Sequence, residues 1–489
     1  MRNLAAGSQG NDSFGGAMLF RVFLNSMLGA AVLLNAAFGQ SANQTELDIL
    51  QKRIGELESQ LRSISDELER LKQTGTNKVD RPVIAEAKPS AENETSKASE
   101  SAARPPVQSS GIRITPYGSI YFNAFSNSGG TNNADVPLFA TPTGRGNAGA
   151  GLRQTRLGLR VEGAKVGSAN LGAVIETDFF GGFPAVGIGE NFGVVRLRLA
   201  HVKFDRENTS LTIGQDWMVF APQNPTSLAA AAIPQMAAAG NNWARLPQVK
   251  VEHRLSNEFR LQAAVLAPQT GDSNAAASFF LQPNSGSVSR IPFFQSRLAF
   301  TGKDLFGSGK TGTIGVSGHF GRSAVFVGAT PRRYDIDSFG IAADWNIPLT
   351  GRVSLAGEAF TGRNLAGFQG GIFQGYNSEF PSPTGGLTAA VRGIRTSGGW
   401  IQLGFTPPVM NDKISLLGSV GIDDPNDRDL LTITPRDLRR RNLAWAFDAI
   451  YRFTPQFSAG LEYRGFVTYW TLSGRRRSDH INLGAVYTF

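Results

Sequence analysis

From Gly111 onward the chain alternates. In "RLGLRVEG", Leu157, Leu159 and Val161 fall on one face, and Arg156, Gly158, Arg160 and Glu162 on the other. Successive residues of a strand point to opposite sides of a sheet, so this period of two predicts a strand with one greasy and one charged face. The same alternation places Ile481, Leu483, Ala485, Tyr487 and Phe489 in one row, and Leu443, Trp445, Phe447, Ala449, Tyr451 and Phe453 in another. A third row runs through Phe339, Ile341, Ala343, Trp345 and Ile347. Aromatics gather towards the strand ends, where a membrane barrel carries its interfacial girdles. About sixteen such strands are expected, beginning near Ile112, Leu152, Asn170, Phe192, Ser210, Leu246, Glu258, Pro292, Thr311, Asp337, Arg352, Arg392, Asp412, Arg441, Gln456 and Ser478. Short connectors such as "DREN" and "PLTG" alternate with long ones at 126–151, 218–244, 268–290, 363–390 and 423–439. An up-and-down transmembrane barrel has this rhythm. A soluble β-sandwich, the competing reading, predicts turns of more even length.

A different period precedes the strands. Leu47, Leu50, Ile54, Leu57, Leu61, Ile64, Leu68 and Leu71 are spaced alternately by three and four residues. This heptad seam predicts an α-helical coiled coil over 45–73, because a single helix on a globular core shows a wider apolar stripe. Residues 74–110 are rich in Pro, Ser, Ala, Glu and Lys and read as a disordered spacer. Upstream, Arg21 leads into "VFLNSMLGAAVLLNAAFG", so residues 1–39 carry the pattern of a signal peptide, with Met18 a candidate start; a membrane anchor helix is the alternative. The expected architecture is therefore all-β: a sixteen-stranded antiparallel transmembrane β-barrel over 111–489, preceded by an N-terminal α-helical coiled coil.

Composition sharpens this picture. The 489 residues are only 41% hydrophobic, yet they include 57 glycines and 33 phenylalanines. There is no cysteine, which suits passage through an oxidising periplasm. With four histidines, no metal-ligand spacing and no Gly-x-Ser-x-Gly elbow, the sequence offers no catalytic residues, no metal site and no cofactor.

Charge adds the candidate chemistry. From Gly111 onward about 36 Arg and Lys face about 26 Asp and Glu, and most of the cations are Arg. Strand parity turns Arg113, Arg156, Arg160, Arg196, Arg198, Arg260, Arg297 and Arg464 inward. Of these, Arg156, Arg160, Arg196, Arg198, Arg260 and Arg297 are the candidates for a substrate path. Glu176, Asp178, Glu358, Asp448 and Glu462 are the candidate opposing lumen acids, with Glu162, Asp216 and Glu252 also inward. Arginine keeps its charge and offers a forked donor to carboxylates, so an Arg-lined lumen favours anions. The bland reading is wall pairing. A turn centred near Val166 sets Arg156 opposite Glu176 and Arg160 opposite Gly172, and Arg198 is similarly placed against Asp216. The connector 218–244, "MVFAPQNPTSLAAAAIPQMAAAGNNWA", contains no charged residue and is expected to fold into the barrel.

"RQTRLGLRVEG", "GAVIETDFFGG", "LTIGQDW", "LPQVKVEHRL" and the terminal "GAVYTF", together with the order signal, heptads, spacer, barrel, resemble the DcaP-like family of trimeric outer-membrane porins. That resemblance implies a homotrimer held through the barrel wall and N-terminal coils in the outer membrane of a Gram-negative bacterium. It also implies passive diffusion of small anionic solutes such as dicarboxylates, and a terminal Phe489 read by the barrel-assembly machinery. The coil would lie in the periplasm. No nucleic-acid partner is expected. The alternative function is an outer-membrane tether with a closed or incidental pore.

Overall fold

The computed structural model describes residues 107–109, 111–182, 193–272, 282–305, 307–328, 330–382 and 389–489. The expected signal peptide and coiled coil, and nearly all of the expected spacer, lie outside the described residues. Val107–Ser109, at the spacer's end, is a short strand, β1, that folds back on β2 (Ile112–Thr131).

The strands that follow are β3 (Ala140–Gly151), β4 (Arg156–Val166), β5 (Ala169–Asp178), β6 (Arg196–Arg206), β7 (Thr209–Trp217), β8 (Arg245–Arg254) and β9 (Phe259–Leu266). Next come β10 (Phe293–Lys303), β11 (Thr311–Val327), β12 (Arg332–Pro348) and β13 (Val353–Arg363). A small hairpin, β14 (Tyr376–Pro381) and β15 (Ala389–Gly393), stands apart from the main sheet. The barrel resumes with β16 (Arg395–Phe405), β17 (Ile414–Pro425), β18 (Arg439–Arg452), β19 (Phe457–Trp470) and β20 (Gly474–Thr488). Each strand pairs antiparallel with its neighbours, and β20 returns to β2 from Ser119↔Thr488 to Asn127↔His480, closing the sheet. At the seam Gly118 and Phe489 exchange backbone hydrogen bonds of 3.1 and 3.0 Å.

Eighteen strands share this sheet, but β1 is an arm and β3 and β4 are halves of one stave. β4 pairs with the lower part of β2 and β3 with its upper part, so sixteen staves form the closed barrel. The expected loop at 126–151 is thus largely strand. The stave breaks at residues 152–155, where the Thr155 hydroxyl accepts from the Tyr121 N–H at 3.1 Å in place of a ladder bond.

The faces settle the choice between sandwich and barrel. Ile341, Phe447 and Ile481 are outward and 49–63% exposed, while His480, Asn482 and Arg464 are inward and at most 1% exposed. Apolar groups outside and polar groups inside invert the soluble arrangement and fit a hydrocarbon surround. Three inward connectors occupy the lumen. Met218–Ala221 pack against Phe293, Phe360, Leu365 and Phe368, and Leu138, Phe139, Ala237, Ala238, Trp243, Ile372 and Trp470 form a second cluster.

The rim connector 426–438 holds a pH-sensitive tie. Burial raises the pKa of Asp429, but hydrogen bonds from Arg395 and Arg392 outweigh it and bring the carboxyl below its ordinary value. A folded pKa below the unfolded one gives stability that is complete above the unfolded value and is lost as pH falls through the folded one. Hydrogen exchange in 426–438 is therefore expected to stay protected at about pH 5 and to accelerate only below about pH 4. Acceleration already at neutral pH would contradict this tie.

Candidate functional site: an arginine cluster beneath an uncharged inward loop

Three neighbouring strands bring the candidate charges together. The ladder places Arg156 of β4 beside Asp178 of β5, and Asp178 beside Arg196 of β6. Arg196 grips Asp178 with two bonds, of 3.0 Å from Nε and 2.6 Å from Nη2. Arg198 donates to Glu176 at 2.6 Å and to Asp178 at 2.8 Å. Arg156 lies 3.5 Å from Glu176, whose other oxygen accepts from the Tyr117 hydroxyl at 3.2 Å.

Arg245, at the start of β8, completes the cluster. It stacks on Trp217 and Trp243, with its guanidinium carbon 4.7 and 5.1 Å from the two ring centroids. Alternation groups Arg245 with the outward Val249 and Val251, so parity missed it. Its only sequence signal is position, directly after the uncharged loop.

The loop 218–244 meets this cluster with backbone. The Ala231 carbonyl accepts from Arg156 at 3.2 Å, and the Ala232 carbonyl accepts from Arg196 at 2.9 Å and Arg245 at 3.2 Å. Gln154, in the break of the first divided stave, clamps the same segment. It donates to the Ala229 carbonyl at 2.8 Å and accepts from the Ala231 and Ala232 N–H groups at 2.8 and 2.9 Å. Four guanidinium groups thus face two carboxylates, and the loop adds only dipoles. Arg245 Nη1 is buried and has no hydrogen-bond acceptor, whereas the buried Arg156 Nε has the Glu176 carboxylate 3.5 Å away. Unfilled donors on charged groups are costly without an anionic or solvent partner.

Several expected pairings are corrected. The β4–β5 turn falls at Gly167–Ser168, and a bulge follows at Glu162–Gly163, where Gly163 has φ of +98°. Gly158, not Arg156, is therefore opposite Glu176, and Arg160 is opposite Val174, not Gly172. Register also separates Arg198 from Asp216, because Ala200 pairs with Gln215. Asp216 takes Lys250 at 2.5 Å instead.

The remaining candidates do not join the cluster. Arg260 pairs with Glu252 at 3.2 Å, and Arg297 binds Asp344 through bonds of 2.9 and 2.6 Å. Arg160 is exposed, 5.5 Å from the Tyr117 ring, with no ion-pair partner among the described residues. The acids on the far wall anchor the loop. Gln235 donates to Asp448 at 3.2 Å and Glu462 at 3.1 Å, the Ser227 hydroxyl also donates to Glu462, and Glu358 accepts from the Asn242 N–H at 3.1 Å. Glu462 is further paired with Arg464. Among the described residues no group of three or more His, Cys, Asp or Glu could hold a metal ion.

No family model matches the sequence. No curated protein matches it either. Among solved structures, the chain is similar in fold to the outer-membrane channel DcaP of Acinetobacter baumannii. The two are 16% identical, and the match covers 79% of this chain and all (100%) of that one with a TM-score of 0.57. OprB of Pseudomonas putida matches at 12% identity, 76% and 94% coverage and a TM-score of 0.49. An anion-selective porin from Comamonas acidovorans matches at 13% identity, 77% and 100% coverage and a TM-score of 0.47. The DcaP-like resemblance read from the sequence agrees with the first of these at the level of fold.

Proposed function

We propose that this chain is an outer-membrane porin that passes small hydrophilic solutes and prefers anions. The observation that carries the reading is the surplus of guanidinium over carboxylate beneath a loop without charge, with the buried Arg245 Nη1 left without an acceptor. In a narrow aqueous path such a surplus concentrates anions and repels cations. Guanidinium groups suit carboxylates, and dicarboxylates are the solute class that the DcaP-like resemblance suggests. Homotrimer formation through the barrel wall and N-terminal coils, and recognition of Phe489 during assembly, belong to the same proposal. Phe489 directly follows the strand that closes the barrel and exchanges backbone hydrogen bonds with Gly118.

The test is the reversal potential of the purified protein in planar bilayers under a potassium chloride gradient. Anion preference is expected; preference for potassium would overturn the proposal, and a barrel that never conducts would favour the tether. Arg160→Ala refines the result. Arg160 holds no carboxylate in place, so thermal stability should hardly change, while the anion-to-cation ratio should fall roughly threefold at low salt. An unchanged ratio would remove Arg160 from the solute path.

A further inference from the structure

Three glutamines of the wall hold the inward loop by its backbone. Gln295 on β10 accepts from the Val219 and Phe220 N–H groups at 2.9 and 3.0 Å. Gln402 on β16 accepts from the Thr226 N–H and donates to the Thr226 carbonyl, both at 2.9 Å, so that carbonyl is turned to the wall and not to an arginine. Gln154 is the third, and the peptides it holds face the arginine cluster. It reaches them from the break at 152–155, outside the β2 ladder, and is only 2% exposed. Its amide has one orientation, because the Ala229 carbonyl can only accept and the Ala231 and Ala232 N–H groups can only donate.

The peptide between Ala231 and Ala232 passes this clamp on. Its N–H meets Gln154 Oε1 at 2.9 Å on one side, and its carbonyl meets Arg156 at 3.2 Å and Arg198 at 3.5 Å on the other. The Ala231 N–H joins the same glutamine oxygen at 2.8 Å, and the Ala232 carbonyl accepts from Arg196 and Arg245. Two neighbouring carbonyls thus bridge two guanidinium groups each, which uses both lone pairs of each oxygen. Both turn to the arginines because the N–H groups behind them are fixed on one acceptor. They fill guanidinium donors without neutralising any charge.

We infer that Gln154 is a positioning residue for anion selectivity: it holds two neutral oxygens on four arginines and so limits the donors and the field offered to a passing anion. The inference rests on the anion-porin reading. An anion competes with these carbonyls for the same N–H groups, and a charged acceptor makes the stronger bond. While Gln154 keeps both peptides in place, the carbonyls cannot swing aside, so an anion meets arginines that are already partly occupied. Arg156 and Arg196, with side chains 25% and 26% exposed, are the members through which a solute feels this.

Reversal potentials of the full-length protein in planar bilayers, under a potassium chloride gradient at low salt, test this. Gln154→Met keeps the length of the side chain but accepts no N–H, so the Ala231 and Ala232 peptides lose their hold and turn from the arginines. The chloride-to-potassium permeability ratio should rise about threefold. Gln154→Asn, one methylene too short for both bonds, should raise it by less and serves if the methionine variant does not assemble. A loop merely loosened widens the path and lowers the ratio, so the direction of change separates positioning from packing. Gln402→Met supplies that comparison, because it frees the same loop away from the cluster; its ratio should equal the parental one or fall below it. In an Arg156→Ala/Arg196→Ala background the gain from Gln154→Met should largely disappear, since Gln154 acts through these groups. An unchanged or lowered ratio in the Gln154 variants, an equal rise in Gln402→Met, or a full gain in the double-alanine background would overturn the inference. A parental channel that prefers potassium would overturn the anion reading beneath it, which is a separate result.

Discussion

Replacing Gly421 with valine is expected to widen the channel. Gly421 faces the lumen on β17, and a Cβ there would lie 2.2 Å from the Ala239 carbonyl and 3.2 Å from Met236 Sδ. The loop needs the same bareness on its own side, because Gly240 has φ of +103° and its Cβ would fall 2.0 Å from the Gly399 carbonyl. Loop tip and wall therefore meet as two stretches of naked backbone. Valine at 421 forces one of them to move. The wall is tied on both sides by the β16–β17 and β17–β18 ladders, whereas the tip is held by side-chain bonds, Gln235 to Asp448 and Glu462 and Asn442 to the Ala238 carbonyl, and by packing of Met236 and Ala239. Overpacking costs about 1–3 kcal/mol, comparable with two such hydrogen bonds at about 1 kcal/mol each, so the tip yields. The Gln154 clamp at the other end of the loop is untouched. Single-channel conductance should rise by roughly a factor of two or more, with the heat stability of the barrel retained. If limited proteolysis shows the loop released while conductance stays at the parental value, the loop does not set the pore width.

Much of this architecture was legible because a strand repeats every two residues and a barrel repeats strands. The rows through Ile481 and Leu443 appear with the predicted parity, and the alternation of short and long connectors matches the two ends of the barrel. What stayed hidden was hidden for definite reasons. β3, "ATPTGRGNAGAG", has almost no side chains with which to display a face, so it read as loop although its backbone pairs with β2. The hairpin β14–β15 is too short, at 6 and 5 residues, to show a period. At the site, parity correctly turned Arg156, Arg196 and Arg198 inward, but partners depend on register. One glycine bulge and a turn placed at Gly167–Ser168 were enough to exchange Glu176 for Asp178 opposite Arg156. Gln154 and Arg245 escaped for a related reason. Both sit where a stave is broken or just beginning, and there alternation gives no guide.

The sign of the selectivity is expected to hang on Arg196. In Arg196→Glu, Asp178 keeps Arg198 at 2.8 Å, so the buried carboxylate is not stranded and the barrel should still assemble. The cluster changes from four guanidinium groups against two carboxylates to three against three. Arg196 is also one of its more accessible members, with 26% of its side chain exposed against 2% for Arg198, so the change is felt in the aqueous path. A unit charge about 5 Å from a passing ion contributes roughly 0.8 kcal/mol at the dielectric of water and about 3 kcal/mol at an effective value near 20. Reversing a charge doubles that term. Screening at about 0.1 M salt trims it, which leaves about a tenfold fall in the chloride-to-potassium permeability ratio. The same substitution at Arg352, which pairs with Asp412 in an exposed turn at the other end of the barrel, alters net charge equally and should leave the ratio nearly unchanged. Raising the salt to about 1 M should shrink the difference between Arg196→Glu and the parent, because the Debye length falls to about 3 Å. A parental ratio in Arg196→Glu at low salt, or an equal response to Arg352→Glu, would show that overall charge, and not this cluster, governs which ions pass.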